Sequence, residues 1–159
     1  MKSFIVSLGL LIIMATTLCY AEDYNKFIHE QMHLKAVAEE CAAGGMLEIN
    51  QYEYSLGRIV VNKDDAVNYA WLHFKNYIDN ICSLDVTGVE MNVWIYDHEG
   101  IYYRQMVLNK EDEVEILSEN SQTPAMKIQL IIYADAIIRG GFINIDSLSR
   151  ETVYELVLP

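Results

Sequence analysis

An uncharged apolar run near the start of the chain constrains its fold and location more than any other feature. Residues 4–21 contain no charged side chain, Lys2 precedes them, and Glu22 and Asp23 follow them. A basic start, an apolar stretch and an acidic exit are typical of segments that direct the rest of a chain out of the cytoplasm. We therefore interpret residues 1–21 as a membrane anchor or signal peptide, and we expect the remainder to lie outside the cytoplasm.

Both an uncleaved anchor and a cleaved signal peptide fit this run. Its 18 residues lie near the lower limit for crossing a bilayer, about 17–25 residues. Ala21 is a small residue of the kind that precedes a signal-peptidase cut, with Cys19 tolerable two positions earlier. Residues 22–43 contain no proline or glycine and continue a helical pattern, which favours the anchor. We expect a single-pass protein of the cell membrane with its C-terminal domain outside, and the alternative is a secreted protein.

Charge and motif content exclude several classes of function. The chain carries 11 Lys and Arg against 23 Asp and Glu, for a net charge of −12. Nucleic acid requires a positively charged surface, so we expect no nucleic-acid partner. The sequence has no glycine-rich phosphate loop, nucleophile elbow or paired-cysteine metal cluster. We therefore expect no catalytic residue, no cofactor and no enzymatic activity.

Residues 22–49 predict an amphipathic helix that continues from the apolar run. Apolar side chains recur at helical spacing, and Glu30, Lys35 and Glu39 lie between them. Such a stripe can pack against neighbouring helices. The residues expected to contact partner helices are Phe27, Ile28, Met32, Leu34 and Ala38.

Residues 50–159 predict one extracytoplasmic α+β domain. An irregular stretch over 50–57 leads into a brief strand at 58–61. A helix follows, with Asn62 as its cap and Asp64 and Asp65 in its first turn. Its apolar face consists of Val67, Ala70, Trp71, Phe74, Tyr77, Ile78 and Ile81.

The second half of this domain alternates between apolar and polar residues, as strands do. Val89, Met91, Val93 and Ile95 share one face, and residues 97–100 form a turn before a return strand. Further strands are predicted at 125–138 and 152–158, with an acidic loop between 109 and 123. The predicted fold class is α+β: a long N-terminal helix, a second helix and a small antiparallel sheet of four or five strands.

Two cysteines lie beyond the apolar run, Cys41 and Cys82. An even pair outside the cytoplasm favours a disulfide. The bond would close a loop of about 40 residues and restrict the unfolded chain by roughly 3–4 kcal/mol. The alternative is two buried free thiols.

The run HEQMH at residues 29–33 matches the helix signature of zinc metallopeptidases. In those enzymes two imidazoles one turn apart bind zinc, and the glutamate activates the metal-bound water. A third ligand is lacking, because Glu39 and Glu40 lie about 9–10 Å further along the same helix than His33. We therefore expect no metal site, and a zinc hydrolase using His29, Glu30 and His33 remains a remote alternative.

The order of these elements resembles the TadE-like pilin-like proteins of tight-adherence (Tad) pilus systems, especially those of Gram-positive bacteria. The resemblance rests on a membrane helix that runs into an alanine-rich amphipathic helix, on GRIVVNKDDA at residues 57–66, and on a hairpin beginning Val86-Thr-Gly-Val89. It covers most of the chain as architecture. The family's glycine before a prepilin cleavage site and its glutamate five residues into the apolar segment are absent here, since Gly9 is followed by Leu-Leu-Ile-Ile-Met.

This resemblance implies a non-enzymatic role as a minor or accessory component of a pilus-like or cell-surface assembly. The implied partners are other membrane or pilus-like subunits, or further copies of the chain, with membrane contact through residues 4–21. If the chain is instead cleaved after Ala21, it is a secreted binding domain whose recognition surface lies around Trp94 and Tyr96.

Overall fold

Three helices and five strands make up the parts of the chain that the computed structural model describes, which are residues 2–108, 113–117, 123–140 and 143–156. The helices are α1 (Lys2–Met46), α2 (Gln51–Ser55) and α3 (Lys63–Asn80). The strands are β1 (Val86–Asp97), β2 (Gly100–Val107), β3 (Glu113–Leu117), β4 (Ala125–Gly140) and β5 (Ile143–Glu155). The predicted α+β class, with a long N-terminal helix and an antiparallel sheet, is confirmed.

Helix α1 is one uninterrupted helix with two different halves. Its 45 residues correspond to a length of about 67 Å at 1.5 Å per residue. The N-terminal half is exposed, whereas the C-terminal half packs on the rest of the domain. The buried residues of α1 are Glu30, Leu34, Val37, Ala38, Cys41, Ala42, Gly45 and Met46. The helical continuity expected across residues 18–30 is therefore observed.

The sheet has the order β3-β2-β1-β4-β5, and every neighbouring pair is antiparallel. On β1, the four residues predicted to share a face (Val89, Met91, Val93 and Ile95) are all buried. They belong to one apolar core with Leu34 and Ala38 of α1 and with Phe74 of α3. Helices α1 and α3 thus cover one face of the sheet, because its alternating apolar side chains would otherwise be exposed to water.

The structure corrects three predicted elements. The predicted loop over 109–123 contains strand β3, which pairs with β2, although residues 109–112 and 118–122 lie outside the described part. Strand β5 begins at Ile143, nine residues before the predicted start, because it pairs along most of β4; residues 157–158 are not described. The predicted strand at 58–61 is a single bridge between Ile49 and Val61, and a short helix, α2, occupies the preceding irregular stretch.

Two adjacent glycines let the end of α1 approach its neighbours closely. A Cβ at Gly45 would lie 2.6 Å from Met126 Sδ and 3.3 Å from the Ala66 carbonyl oxygen, and both Gly45 and Met126 are buried. A Cβ at Gly44 would instead meet the ring of Tyr69, which is partly exposed and can rotate away.

We expect Gly45→Ala to destabilise the domain, because the added methyl group overpacks a closed site. Overpacking costs typically 1–3 kcal/mol, against a helix-propensity gain of up to about 1 kcal/mol. The net loss should be about 1–2 kcal/mol in urea unfolding of the full chain in detergent micelles. Gly44→Ala is the matched control and should change stability less than Gly45→Ala. Equal stability of the two variants would contradict the proposed close approach.

Candidate functional site

The N-terminal half of α1 presents an apolar surface that nothing in the described part of the chain covers. Its large apolar side chains between Phe4 and Tyr20 are 42–71% exposed. The helix is long and apolar enough to cross a bilayer, and its most apolar window has no buried residue. Exposure on this scale is unfavourable in water, because large contiguous apolar surfaces on soluble monomers are rare. The segment is therefore suited to a membrane or to contact with other apolar helices.

Three hydroxyl groups within this segment, those of Ser7, Thr16 and Thr17, are bonded to the helix itself. Ser7 Oγ donates to the Ser3 carbonyl oxygen at 2.9 Å, and Thr17 Oγ1 donates to the Ile13 carbonyl oxygen at 2.7 Å. Thr16 Oγ1 likewise reaches the Ile13 carbonyl oxygen at 2.9 Å. In hydrocarbon an unsatisfied polar group costs several kcal/mol, so these bonds make the segment compatible with lipid.

Glu30 is a buried link between α1 and the region after α3. It is 2% exposed. Tyr77 Oη donates to Oε2 at 2.6 Å, and the backbone N–H and hydroxyl of Ser83 donate to Oε1 at 3.1 and 2.6 Å. Burial by itself raises the pKa of the Glu30 carboxyl, but the bonds from Ser83 and Tyr77 and the charge of His33 together lower it below 4.5. Glu30 was predicted to lie among the polar residues between the apolar positions of the helix. That prediction was wrong, because its side chain is buried.

The HEQMH run does not assemble the site of a zinc peptidase. The rings of His29 and His33 lie 4.2 Å apart between centroids, with His29 exposed and His33 half-buried. Glu30, however, is engaged by Tyr77 and Ser83 in the interior and is not positioned to activate a water on these imidazoles. Among the described residues, no group of three or more His, Cys, Asp or Glu side chains could hold a metal ion.

The predicted partner-helix stripe of α1 divides into internal and external residues. Leu34 and Ala38 are fully buried in the chain's own core, and Phe27 packs against that core. These residues cover the chain's own sheet. A sequence pattern alone cannot show whether such residues cover the chain's own sheet or another subunit. Ile28 is half-buried, and Met32 is 66% exposed. Of the five predicted contacts, Met32 is the one most accessible to a partner.

The predicted Cys41–Cys82 disulfide is not formed, and both residues are free thiols. The Cys41 thiol is buried and donates to the Ala70 carbonyl oxygen at 3.4 Å. Cys82 lies instead near Tyr77 and Glu30. Glu30 is eleven residues before Cys41 on α1, which corresponds to about 16 Å along the helix axis. Cys82, beside Glu30, is therefore far from Cys41. Burial raises the pKa of Cys41 to about 12, which makes this thiol unreactive.

The face of the sheet opposite the helices carries aromatic and polar side chains. Trp94 lies between Tyr103, with ring centroids 5.1 Å apart, and Lys127, whose Nζ is 4.9 Å from the indole centroid. Beside this row, Asn92 accepts a bond from Tyr103 at 3.0 Å and donates to Glu90 at 2.9 Å. The side chains of the predicted recognition surface around Trp94 are thus bonded to one another.

Asp97 anchors the β1–β2 turn, and sequence reasoning missed its role. It is completely buried, and its carboxylate accepts bonds from the backbone N–H groups of Val61 at 3.2 Å and Glu99 at 2.9 Å. Lys63 Nζ lies 3.5 Å from Asp97 Oδ2. Burial lowers the pKa of Lys63, but bonds and charges of Glu99 and Asp97 raise it overall. Polar residues are common in hairpin turns, so the sequence did not indicate that Asp97 binds the loop before α3.

The chain was compared with models of known protein families, with curated proteins and with solved structures, and none of the three comparisons gave a match. The geometry of the molecule is therefore the basis for its proposed function.

Proposed function

We propose that this chain is a membrane-tethered, non-enzymatic interaction protein, a minor or accessory component of a pilus-like or other cell-surface assembly. The observation that carries the proposal is the division of α1 into two halves. One half exposes a continuous apolar surface, and the other half is packed into a folded domain. A rigid helix of this kind holds the domain at a defined distance from the membrane.

The charges at the ends of the apolar run support an orientation with the domain outside the cytoplasm. Lys2 lies before the run, and Glu22 and Asp23 lie after it. Positive residues are retained on the cytoplasmic side of membrane helices. The 18 residues of the run span about 27 Å as a helix, close to the hydrocarbon thickness of about 30 Å.

The membrane anchor can be tested with arginine substitutions at matched exposed sites. Ile12→Arg places a charge in the middle of the apolar run, where the insertion cost is about 2.5–3.5 kcal/mol. We expect this variant to be lost from alkali-washed membranes in cell fractionation. Leu47→Arg, at an exposed leucine just beyond the end of α1, should stay with the membrane. Identical partitioning of both variants would contradict the anchor.

Lateral association of the apolar helices is the assembly step of the proposal. Small residues allow membrane helices to approach each other closely, and a Cβ at Gly9 would meet nothing within 4 Å. Cys19 is an exposed thiol on the same half of α1. It therefore serves as a natural cross-linking probe.

We expect mild oxidation of native membranes to produce a disulfide-linked dimer through Cys19 if copies of the chain adjoin. Cys19→Ser should abolish this species, whereas Cys41→Ser should not, because Cys41 is buried. The measurement is non-reducing electrophoresis with immunodetection. A dimer that persists unchanged in Cys19→Ser, or the absence of any cross-linked species in the parent chain, would contradict assembly through this half of α1.

A secreted binding domain is the second candidate, and one observation favours it. Phe27 is the first apolar side chain packed against the core. Cleavage after Ala21 would therefore leave the buried residues of the domain in place. In that case the open sheet face with Trp94 and Tyr103 is the surface available for recognition.

A further inference from the structure

We propose that His29, Met32 and His33 form a binding site for copper in the +1 state on the outer side of helix α1. Both histidines and the methionine of the HEQMH run remain outside the core, whereas Glu30 is buried and Gln31 is bonded to Arg150. The proposal concerns metal binding, and it is independent of whether the chain is anchored or released.

The spacing of the three residues on the helix allows their side chains to reach one ion. The imidazoles of His29 and His33 are one helical turn apart, with centroids separated by 4.2 Å. Met32 is three residues after His29 and adjacent to His33. Side chains at i, i+3 and i+4 of a helix are neighbours, with about 5–6 Å between Cβ atoms. Rotation of the side chains can therefore bring two nitrogens and one sulfur together.

The surroundings leave these donors accessible. His29 is exposed, His33 is half-buried, and Met32 is 66% exposed. Met32 lies beyond the apolar run, and because its side chain is mostly exposed it contributes little to the packing of the chain's own core. Its thioether is thus free to bind a soft ion.

The donor set discriminates between metals. Imidazole suits copper, nickel and zinc, whereas a thioether selects monovalent copper. The carboxylate that a zinc hydrolase would need is held in the interior by Tyr77 and Ser83. Two nitrogens and one sulfur, without a carboxylate, therefore favour copper(I) over zinc.

The test is an anaerobic competition titration of the full chain in detergent micelles against the copper(I) complex of bicinchoninate, followed by the chelator's absorbance. Cys19→Ser and Cys82→Ser are introduced first, because accessible thiolates also bind copper(I). We expect one copper ion per chain to leave the chelator. Met32→Leu should weaken copper(I) binding at least tenfold while changing zinc binding less than twofold, and His29→Ala or His33→Ala should weaken binding of both metals at least tenfold.

Two controls separate the site from general metal binding by the chain. His73→Ala, on α3, and Met14→Leu, within the apolar run, should leave copper(I) affinity unchanged. Circular dichroism verifies that each variant is folded. The proposal is overturned if no copper leaves the chelator, if Met32→Leu binds like the parent chain, or if His73→Ala weakens binding as much as His29→Ala.

Discussion

Replacing Asp97 with alanine is expected to lower the free energy of unfolding by about 2–4 kcal/mol, because hydrogen bonds to a charged group contribute roughly 1.5–3 kcal/mol and N–H groups left unpaired add to the loss. The substitution leaves the backbone N–H groups of Val61 and Glu99 without their acceptor and removes one of the two carboxylates near Lys63. The loop before α3 would lose its attachment to the β1–β2 turn. Urea unfolding of the full chain in micelles, followed by tryptophan fluorescence, measures the loss.

Asp64→Ala is the control for a surface ion pair. Asp64 pairs with Arg104 at 3.0 Å, but its side chain is 84% exposed. Exposed pairs contribute about 0–1 kcal/mol, so this variant should remain close to the parent chain. If Asp97→Ala were no less stable than Asp64→Ala, the buried carboxylate would not anchor the turn.

Replacing Glu30 with alanine is expected to lower the free energy of unfolding by about 2–4 kcal/mol, because hydrogen bonds to a charged group contribute roughly 1.5–3 kcal/mol and buried groups left unpaired add to the loss. The affected groups are the Tyr77 hydroxyl and the N–H and hydroxyl of Ser83. The same urea titration applies. Glu39→Ala removes only an exposed pair with Lys35 on the same helix, and it should change stability by less than 1 kcal/mol.

We also expect part of the free energy of unfolding to be lost in acid, because the Glu30 carboxylate becomes protonated there. Its pKa in the folded chain lies below the ordinary value of 4.5. The stabilisation is therefore complete above that pH and decreases as the pH falls through the folded pKa. Glu30→Gln should lose stability at neutral pH and show a weaker decline in acid than the parent chain. Parallel pH profiles for the two chains would contradict this assignment.

The elements that depend on local pattern were predictable from the sequence. The alternation of Val89, Met91, Val93 and Ile95 identified the buried face of β1, and the spacing around Phe74 identified α3. Both patterns reflect a single element with one face in the core. Strand β3 was missed because it has only five residues, two of them glutamates, within a stretch whose charge is typical of a loop.

The roles of single polar residues were not predictable, since their partners are distant in sequence. Glu30 meets Tyr77 and Ser83, which follow it by 47 and 53 residues. Asp97 meets Val61, which precedes it by 36 residues. The disulfide prediction failed for a related reason, because cysteine count carries no information on distance. An amphipathic stripe on α1 could equally cover a partner helix or the chain's own sheet, and only the fold distinguishes the two.

The most direct test of the account is the intact mass of the native protein, taken separately from washed membranes and from the soluble fraction. An anchored helix predicts that the protein is found in the membranes with residues 1–21 still attached to the domain. Recovery of a chain that begins at Glu22, free of the membranes, would contradict the anchor and make the protein a released binding domain.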